Sequence, residues 1–427
     1  MTDQRVSFGR LWPLMLTVFV DMVGWAFVFP IAPFFAKRLG ATPFVVGLLP
    51  AVYALAQLIT APLWGRVSDL RGRRPVLLLG ISIAGVAHLI FAFASSNWAM
   101  ARFDNQALLA ILLLSRLVGG AGGASTGIVQ AFVGDAIRPE ERAKAFGWIS
   151  AATSAGIMFG PALGSLATNI GPAFPGLVAA TLCVVNLGFA QRFLHETTSH
   201  ETRAGARSVA PGLIRARASE VLQRPRRPVS RLIWIYAFGM MAFAAMNAML
   251  ALFLDARFGF TEKTIGWAYS GIGVVGVLMR VIILDPTVRW LGERGVMRLG
   301  LAALTVSLVL QPFAPSLVVY GFVVLLVPIG TALLFPANSS LVTRFIAERH
   351  ELGAIMGVQQ TYGGVARLIG PLWSGWAFQQ LGSGAPFFLC AGLTAITYLV
   401  AIGLEAPPRL KSQTPPAEPA AAVAGTG

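Results

Sequence analysis

Apolar residues run along this chain in long unbroken blocks, without the alternation of exposed strands or the single stripe of a soluble helix. Blocks near residues 11–36, 44–64, 75–96, 107–132, 145–168, 174–193, 231–254, 265–284, 296–313, 316–341, 353–379 and 386–404 each approach the roughly 20 residues a helix needs to cross a hydrocarbon core. They predict twelve membrane spans. A membrane barrel is excluded, because its strands are only about 10 residues long and alternate in polarity. The fold class is therefore all-α and polytopic.

Polar residues punctuate these blocks. The wedge Gly65-Arg66-Val67-Ser68-Asp69-Leu70-Arg71-Gly72-Arg73-Arg74-Pro75 separates spans two and three, and so short a turn requires a tight hairpin. Its arginines mark the cytoplasmic side by the positive-inside rule. With both termini inside, Lys37, Arg38, Arg102, Arg257 and Lys263 fall outside, while Arg5, Arg10, Arg138, Arg142, Lys144, the cluster from Arg192 to Arg231, Arg289, Arg294, Arg298, Arg344, Arg349, Arg409 and Lys411 fall inside. Residues 194–230, with His195, His200 and several arginines, read as a cytoplasmic linker whose histidines are solvated rather than metal-binding. The tail 405–427, rich in Pro and Ala, reads as disordered. The expected organisation is a first six-helix bundle over 1–193, the linker, a second bundle over 231–404 and the tail.

Composition adds two exclusions. With 56% apolar and 12% charged residues, the chain lies far from a soluble domain, where about 25% are charged. The net charge of +15 follows the loops, so it reflects topology and gives no sign of nucleic acid. The first apolar block is too long for a cleavable signal core and is expected to stay as an anchor. Cys183 and Cys390 occupy similar positions in the two halves and read as buried thiols. Preference for Arg over Lys, with heavy Ala and Gly use, suggests a bacterial source and hence the cytoplasmic (inner) membrane.

The halves repeat: Gly147 and Gly357, Gly160 and Gly370, and Pro161 and Pro371 recur at one constant offset. Six helices plus six, related by duplication, predict two pseudo-symmetric bundles with a path between them near the midplane.

Three patterns carry a family resemblance over nearly the whole chain. Gly65, Asp69, Gly72, Arg73 and Arg74 match the loop signature between spans two and three; Leu114-Ser115-Arg116-Leu117-Val118-Gly119-Gly120-Ala121 resembles a span-four motif with a buried arginine; Gly156-Ile157-Met158-Phe159-Gly160-Pro161-Ala162-Leu163-Gly164 is similar to the antiporter motif of exporters. The chain thus resembles the major facilitator superfamily, and its opening span, Asp21-Met22-Val23-Gly24 followed by Phe29-Pro30-Ile31-Ala32-Pro33, looks closest to the twelve-span drug:proton antiporters such as the tetracycline exporters. It departs from them in span three, which holds no carboxylate and only His88 as an ionisable group. The resemblance implies export of a small molecule against protons, and a cytoplasmic latch of Asp69, Arg73 and Asp135 closing on the amino-terminal end of span eleven near Gly353. It also implies antiporter character for Gly156, Gly160, Pro161 and Gly164, although tight helix packing already accounts for most of that glycine spacing.

A proton-driven carrier needs an ionisable group where its charge is costly. Asp21 lies ten residues from Leu11, about 15 Å into a core of ~30 Å, and Arg116 enters from the other side to similar depth. An alternating Asp21–Arg116 pair is the expected coupling element, with a static bundle-fixing pair as the bland alternative. Trp25, Phe29, Gln57, Asn247, Gln311, Asn338, Gln359, Gln360 and Tyr362 are candidates for the substrate lining, suited to a bulky hydrophobic or weakly cationic solute. Arg280 and Arg367 are left open between an anion site and, for Arg280, a pair with Asp285. No phosphate-binding loop, hydrolase elbow or metalloprotease helix appears, so neither an ATP-driven pump nor an enzyme is expected, and no cofactor or metal is called for. Expected partners are the small-molecule substrate, protons and the lipid bilayer, with a monomer as the working unit. An uptake symporter and a non-transporting assembly factor or sensor are the rival readings.

Overall fold

The computed structural model describes residues 11–123, 125–137, 141–196, 211–346 and 349–404. The expected tail 405–427, His200, Arg5, Arg10 and the side chain of Asp135 lie outside the described residues. Every described element is a helix or a turn.

Ten stretches have the length and apolarity of a membrane span. One of them, Ile265–Phe313, is two spans joined by a bend at Gly292 (φ 65°, ψ 165°). Another span, Arg349–Leu381, is diluted by Gln359, Gln360 and Arg367, which completes the expected twelve. Span one is Trp12–Val28 continued by Ala32–Arg38, broken where Pro30 lacks a donor. Spans two to six are Pro43–Arg71, Arg73–Ala94, Asn105–Gly122 with Ser125–Ala136, Arg142–Ala167 and Phe174–Phe193. Span seven is Pro228–Phe258; span eight begins at Ile265–Leu278, passes through a π turn at Met279–Ile283 and leads into Leu284–Leu310, which holds span nine after the bend. Span ten is Leu317–Val324 with Leu326–Phe345, span eleven Arg349–Leu381 and span twelve Ala385–Ile402.

The wedge hairpin turns on Gly72 (φ 103°, ψ 159°), a backbone region that a side chain would strain. Its partner in the second half is the bend at Gly292 between spans eight and nine. Asp69, Gly72, Arg73 and Arg74 align in register with Arg289, Gly292, Glu293 and Arg294, so the acidic and basic positions are exchanged between the repeats.

In the first half, span one packs on spans five and six, span three on four and six, and span two on four; in the second, span seven packs on ten, eleven and twelve, and span nine on ten and twelve. The halves meet along spans two and eleven and along spans five and eight. Glycine sets the closeness: a Cβ on Gly160 or Gly164 would stand 2.8 Å from the Val23 carbonyl or 2.1 Å from the Phe27 carbonyl. Backbones this close gain dispersion contacts that replace the missing hydrophobic drive within lipid. Cys183 and Cys390 are buried free thiols.

The linker departs from the plain polar loop expected of it. Pro211–Gln223 is a helix that packs on spans seven and eleven, with Val221 buried in the second bundle. Arg217 pairs with Glu220 and Glu351, and Arg227 with Glu220. These contacts hold the Arg217 guanidinium above its ordinary range and the Glu220 carboxyl below its own, in each case chiefly through their mutual hydrogen bond.

Candidate transport path between the two halves

Asp21 and Trp25 sit one turn apart on span one, and Phe29 follows one turn later. The Trp25 and Phe29 rings stack at 5.0 Å, and Tyr269 of span eight meets Phe29 edge-on at 6.2 Å. Tyr53 of span two lies within electrostatic reach of Asp21, Arg116 and Arg367, with the Trp25 indole beside it. Tyr53 is placed by the glycine run of span four, because a Cβ on Gly123 would stand 2.7 Å from its hydroxyl and one on Gly120 2.2 Å from its carbonyl. Gln57, one turn on, donates to the Gly123 carbonyl at 2.6 Å.

None of the described ion pairs joins Asp21 to Arg116. Arg116 is buried, its guanidinium 5.3 Å from the Phe91 ring centroid and bonded to the Ser115 hydroxyl at 3.3 Å. Equal depth fixed the height of the two groups but left their angular positions open, and span four turns Arg116 toward span three.

The polar lining separates in the same way. Gln311 is fully enclosed, donating to Ser307 and accepting from Tyr320 at 3.1 Å each. Asn338 donates to the Leu232 carbonyl at 3.0 Å, and Gln359 reaches Ser339 at 3.2 Å. These three bind the second bundle together and line nothing open. Tyr362 donates to the Ala218 carbonyl at 3.0 Å, which pins the linker helix to span eleven. Asn247 donates within its own helix to Phe243 at 2.8 Å, while its carbonyl accepts from Tyr269 at 3.1 Å. Trp25, Phe29, Gln57 and Gln360 remain at the interface, and the structure adds Tyr53, Tyr236 and Tyr269, which no motif announced.

Arg280 does not pair with Asp285 among the described ion pairs; it bonds to the Ser154 hydroxyl of span five at 3.4 Å, across the seam. It lies on the π turn, a distortion frequent at functional positions.

The seam between the halves is uneven along its length. At the end away from the wedge, Lys37 pairs with Asp255 at 2.5 Å and Arg38 with Glu262, both across the halves. A Cβ on Gly266 would stand 1.9 Å from the Pro161 carbonyl, and one on Gly47 2.4 Å from that of Pro371. Ser165 donates to the Glu262 carbonyl at 2.7 Å and Ala162 N–H to the Ser270 hydroxyl at 3.1 Å. Gly156, Gly160 and Gly164 thus face span one while Pro161 faces span eight, which locks the motif into this seal.

At the wedge end none of the described ion pairs joins the two bundles. Asp69 pairs with Arg73 at 2.5 Å, Arg344 with Glu293 at 2.8 Å, and Arg217 with Glu351. Arg73 and Arg74 backbone N–H groups both donate to Glu196, at 3.1 and 3.2 Å. A Cβ on Gly65 or Gly353 would meet nothing within 4 Å, and the described ion pair of Asp69 is with Arg73. Of the latch expected there, the Asp69–Arg73 pair is formed, and the Asp135 side chain lies outside the described residues.

Two six-helix bundles around a seam closed at one end, with buried charge beside it, define a membrane carrier. The sequence profile of the Major Facilitator Superfamily matches residues 14–371 and 258–425, and the chain belongs to that family. It is 26% identical over 404 residues to Multidrug resistance protein 1 of Bacillus subtilis (strain 168), covering 94% of this chain and 97% of that one. It is likewise 26% identical over 407 residues to the class B tetracycline resistance protein of Escherichia coli, covering 91% and 95%. Among solved structures, the human organic anion transporter MFSD10 superimposes with a TM-score of 0.69 at 22% identity, covering 93% of this chain and 100% of that one. The chain is a multi-pass membrane transporter, not an enzyme.

Proposed function

We propose that this transporter is a proton-coupled antiporter that exports an amphipathic small molecule across a bacterial cytoplasmic membrane, acting as a monomer with both termini inside. The observation that carries the reading is Asp21, the one carboxylate at mid-depth of the described spans, placed at the seam beside Tyr53. Protonating an acid there changes the cost of its burial, and a difference of one pKa unit between two conformations biases them about tenfold, ~1.4 kcal/mol. Relatives named for multidrug and tetracycline resistance support export, and the antiporter-like glycines support exchange. The arginine-rich wedge supports a cytoplasmic position for its end of the seam by the positive-inside rule. On that reading the end packed through Gly47 and Gly266 and crossed by the Lys37–Asp255 and Arg38–Glu262 pairs is the outer one.

The test uses inverted membrane vesicles with an acidic lumen. The reading predicts gradient-driven uptake of a substrate dye that collapses with an uncoupler, and Asp21→Asn is expected to remove the coupling while the protein still inserts. Full gradient-driven transport by Asp21→Asn would contradict it. Uptake requiring the opposite gradient would show a symporter.

A further inference from the structure

Span eleven carries Gln360, Gly364, Arg367 and Pro371 at successive turns of one face. Two glycines let that face close in: a Cβ on Gly363 would stand 2.6 Å from the Tyr236 ring of span seven, and one on Gly364 2.8 Å from Leu58 of span two. One turn on, Arg367 is held where spans two, seven and eleven converge. The Tyr236 hydroxyl lies beside Arg367 and Gln360, and Tyr53 stands across the seam within the field of Arg367.

No carboxylate answers this guanidinium among the described ion pairs. Arg280 has a hydroxyl for its partner and Arg116 a hydroxyl and a ring. The deep charges of the described spans are therefore three arginines and one acid, Asp21. A guanidinium kept at membrane depth without a protein counter-ion is costly, and its planar fork matches carboxylate, sulfonate and phosphate oxygens. An aromatic patch, Trp25 stacked on Phe29, flanks Tyr53 and offers an apolar surface next to the charge.

We infer that the substrate class is an amphipathic organic anion, with its acidic group bound by Arg367 between Tyr53 and Tyr236 and its apolar body laid against Trp25 and Phe29. This replaces the weakly cationic solute expected from the sequence. It rests on the seam being the transport path and is independent of proton coupling or direction.

The test is binding to the purified full-length protein in detergent without a gradient, corrected for partitioning into empty micelles. Two probes share a ring and differ in charge: 2-naphthalenesulfonate and naphthalen-2-yl-trimethylammonium. The sulfonate is expected to bind at least about tenfold more tightly than the cation. Arg367→Gln is expected to weaken the sulfonate by about tenfold and leave the cation unchanged, and Arg367→Lys to restore part of the loss. Cation binding that equals or exceeds sulfonate binding in the wild type, binding of neither probe, or unchanged sulfonate affinity in a folded Arg367→Gln protein would overturn the inference. If Arg367→Gln does not fold, the wild-type probe pair and Arg367→Lys still decide. Sulfonate selectivity without proton-driven flux would leave this site standing and remove the antiporter reading instead.

Discussion

The two ends of the seam between the bundles are made of different contacts. Away from the wedge, backbone meets backbone at Gly47, Gly266 and Gly375, and the ion pairs Lys37–Asp255 and Arg38–Glu262 cross from one half to the other. At the wedge, the described ion pairs do not cross between the bundles: Asp69 pairs with Arg73 in the first, Glu293 with Arg344 in the second, and Arg217 of the linker helix with Glu351. Small residues supply the close packing at the first end, while the described charges at the second pair without crossing between the bundles.

The largest expected effect comes from breaking the packed end. Gly266→Val puts branched carbon where even a Cβ would stand 1.9 Å from the Pro161 carbonyl. Because backbone cannot rotate away as a side chain can, spans five and eight must separate. Spin labels at Asn169 and Lys263 are expected to move apart by several ångströms, roughly the width of a side chain. An unchanged distance would show that the seal does not depend on this contact.

Next come the two hairpin glycines, which compare the repeats directly. Gly72→Ala and Gly292→Ala each force a side chain to a positive φ, at a cost of order 1–3 kcal/mol. Both are expected to lower the thermal unfolding temperature in detergent. Equal stability to wild type in either variant would show that its turn relaxes.

Smaller effects are expected from the cross-half ion pairs. The Lys37 side chain is 58% exposed and Arg38 47%, so each pair is worth about 0–1 kcal/mol. Lys37→Gln with Arg38→Gln is expected to shift the conformational populations about two- to fivefold toward opening of that end, with high salt having the same effect on the wild type. A salt-independent label distance would sink this.

The smallest effect concerns the linker helix. Glu220 has its pKa below the ordinary 4.5 when folded, so its contribution is fully present above that value and is lost as pH falls through the lower folded value. Limited proteolysis of the linker is expected to quicken only below about pH 4. Cleavage that does not vary with pH would show that the Arg217–Glu220 contact does not hold the helix.

The spans and the wedge hairpin were legible because hydropathy and a run of charges between two apolar blocks are local properties. Angular position was not, since a few degrees per residue decide which neighbour a side chain meets. Arg116 therefore turned to Phe91, and Gln311, Asn338 and Gln359 became packing bonds inside a bundle. Tyr53 and Tyr236 look like ordinary span aromatics in the sequence. Their signal lay in partners on other helices, the runs Gly119–Gly123 and Gly363–Gly364 that make room for the rings. Lys37 and Arg38 read as exceptions to a charge rule, and only the fold shows Asp255 and Glu262 opposite them.

The central claim, that Asp21 takes up and releases a proton as the bundles change conformation, is tested most directly by infrared difference spectroscopy of the wild type against Asp21→Asn across a pH titration, with and without a transported substrate. The account predicts a protonated-carboxyl band absent from the variant, whose midpoint moves when substrate binds. An Asp21 that stays ionised at every pH and in both states would contradict it.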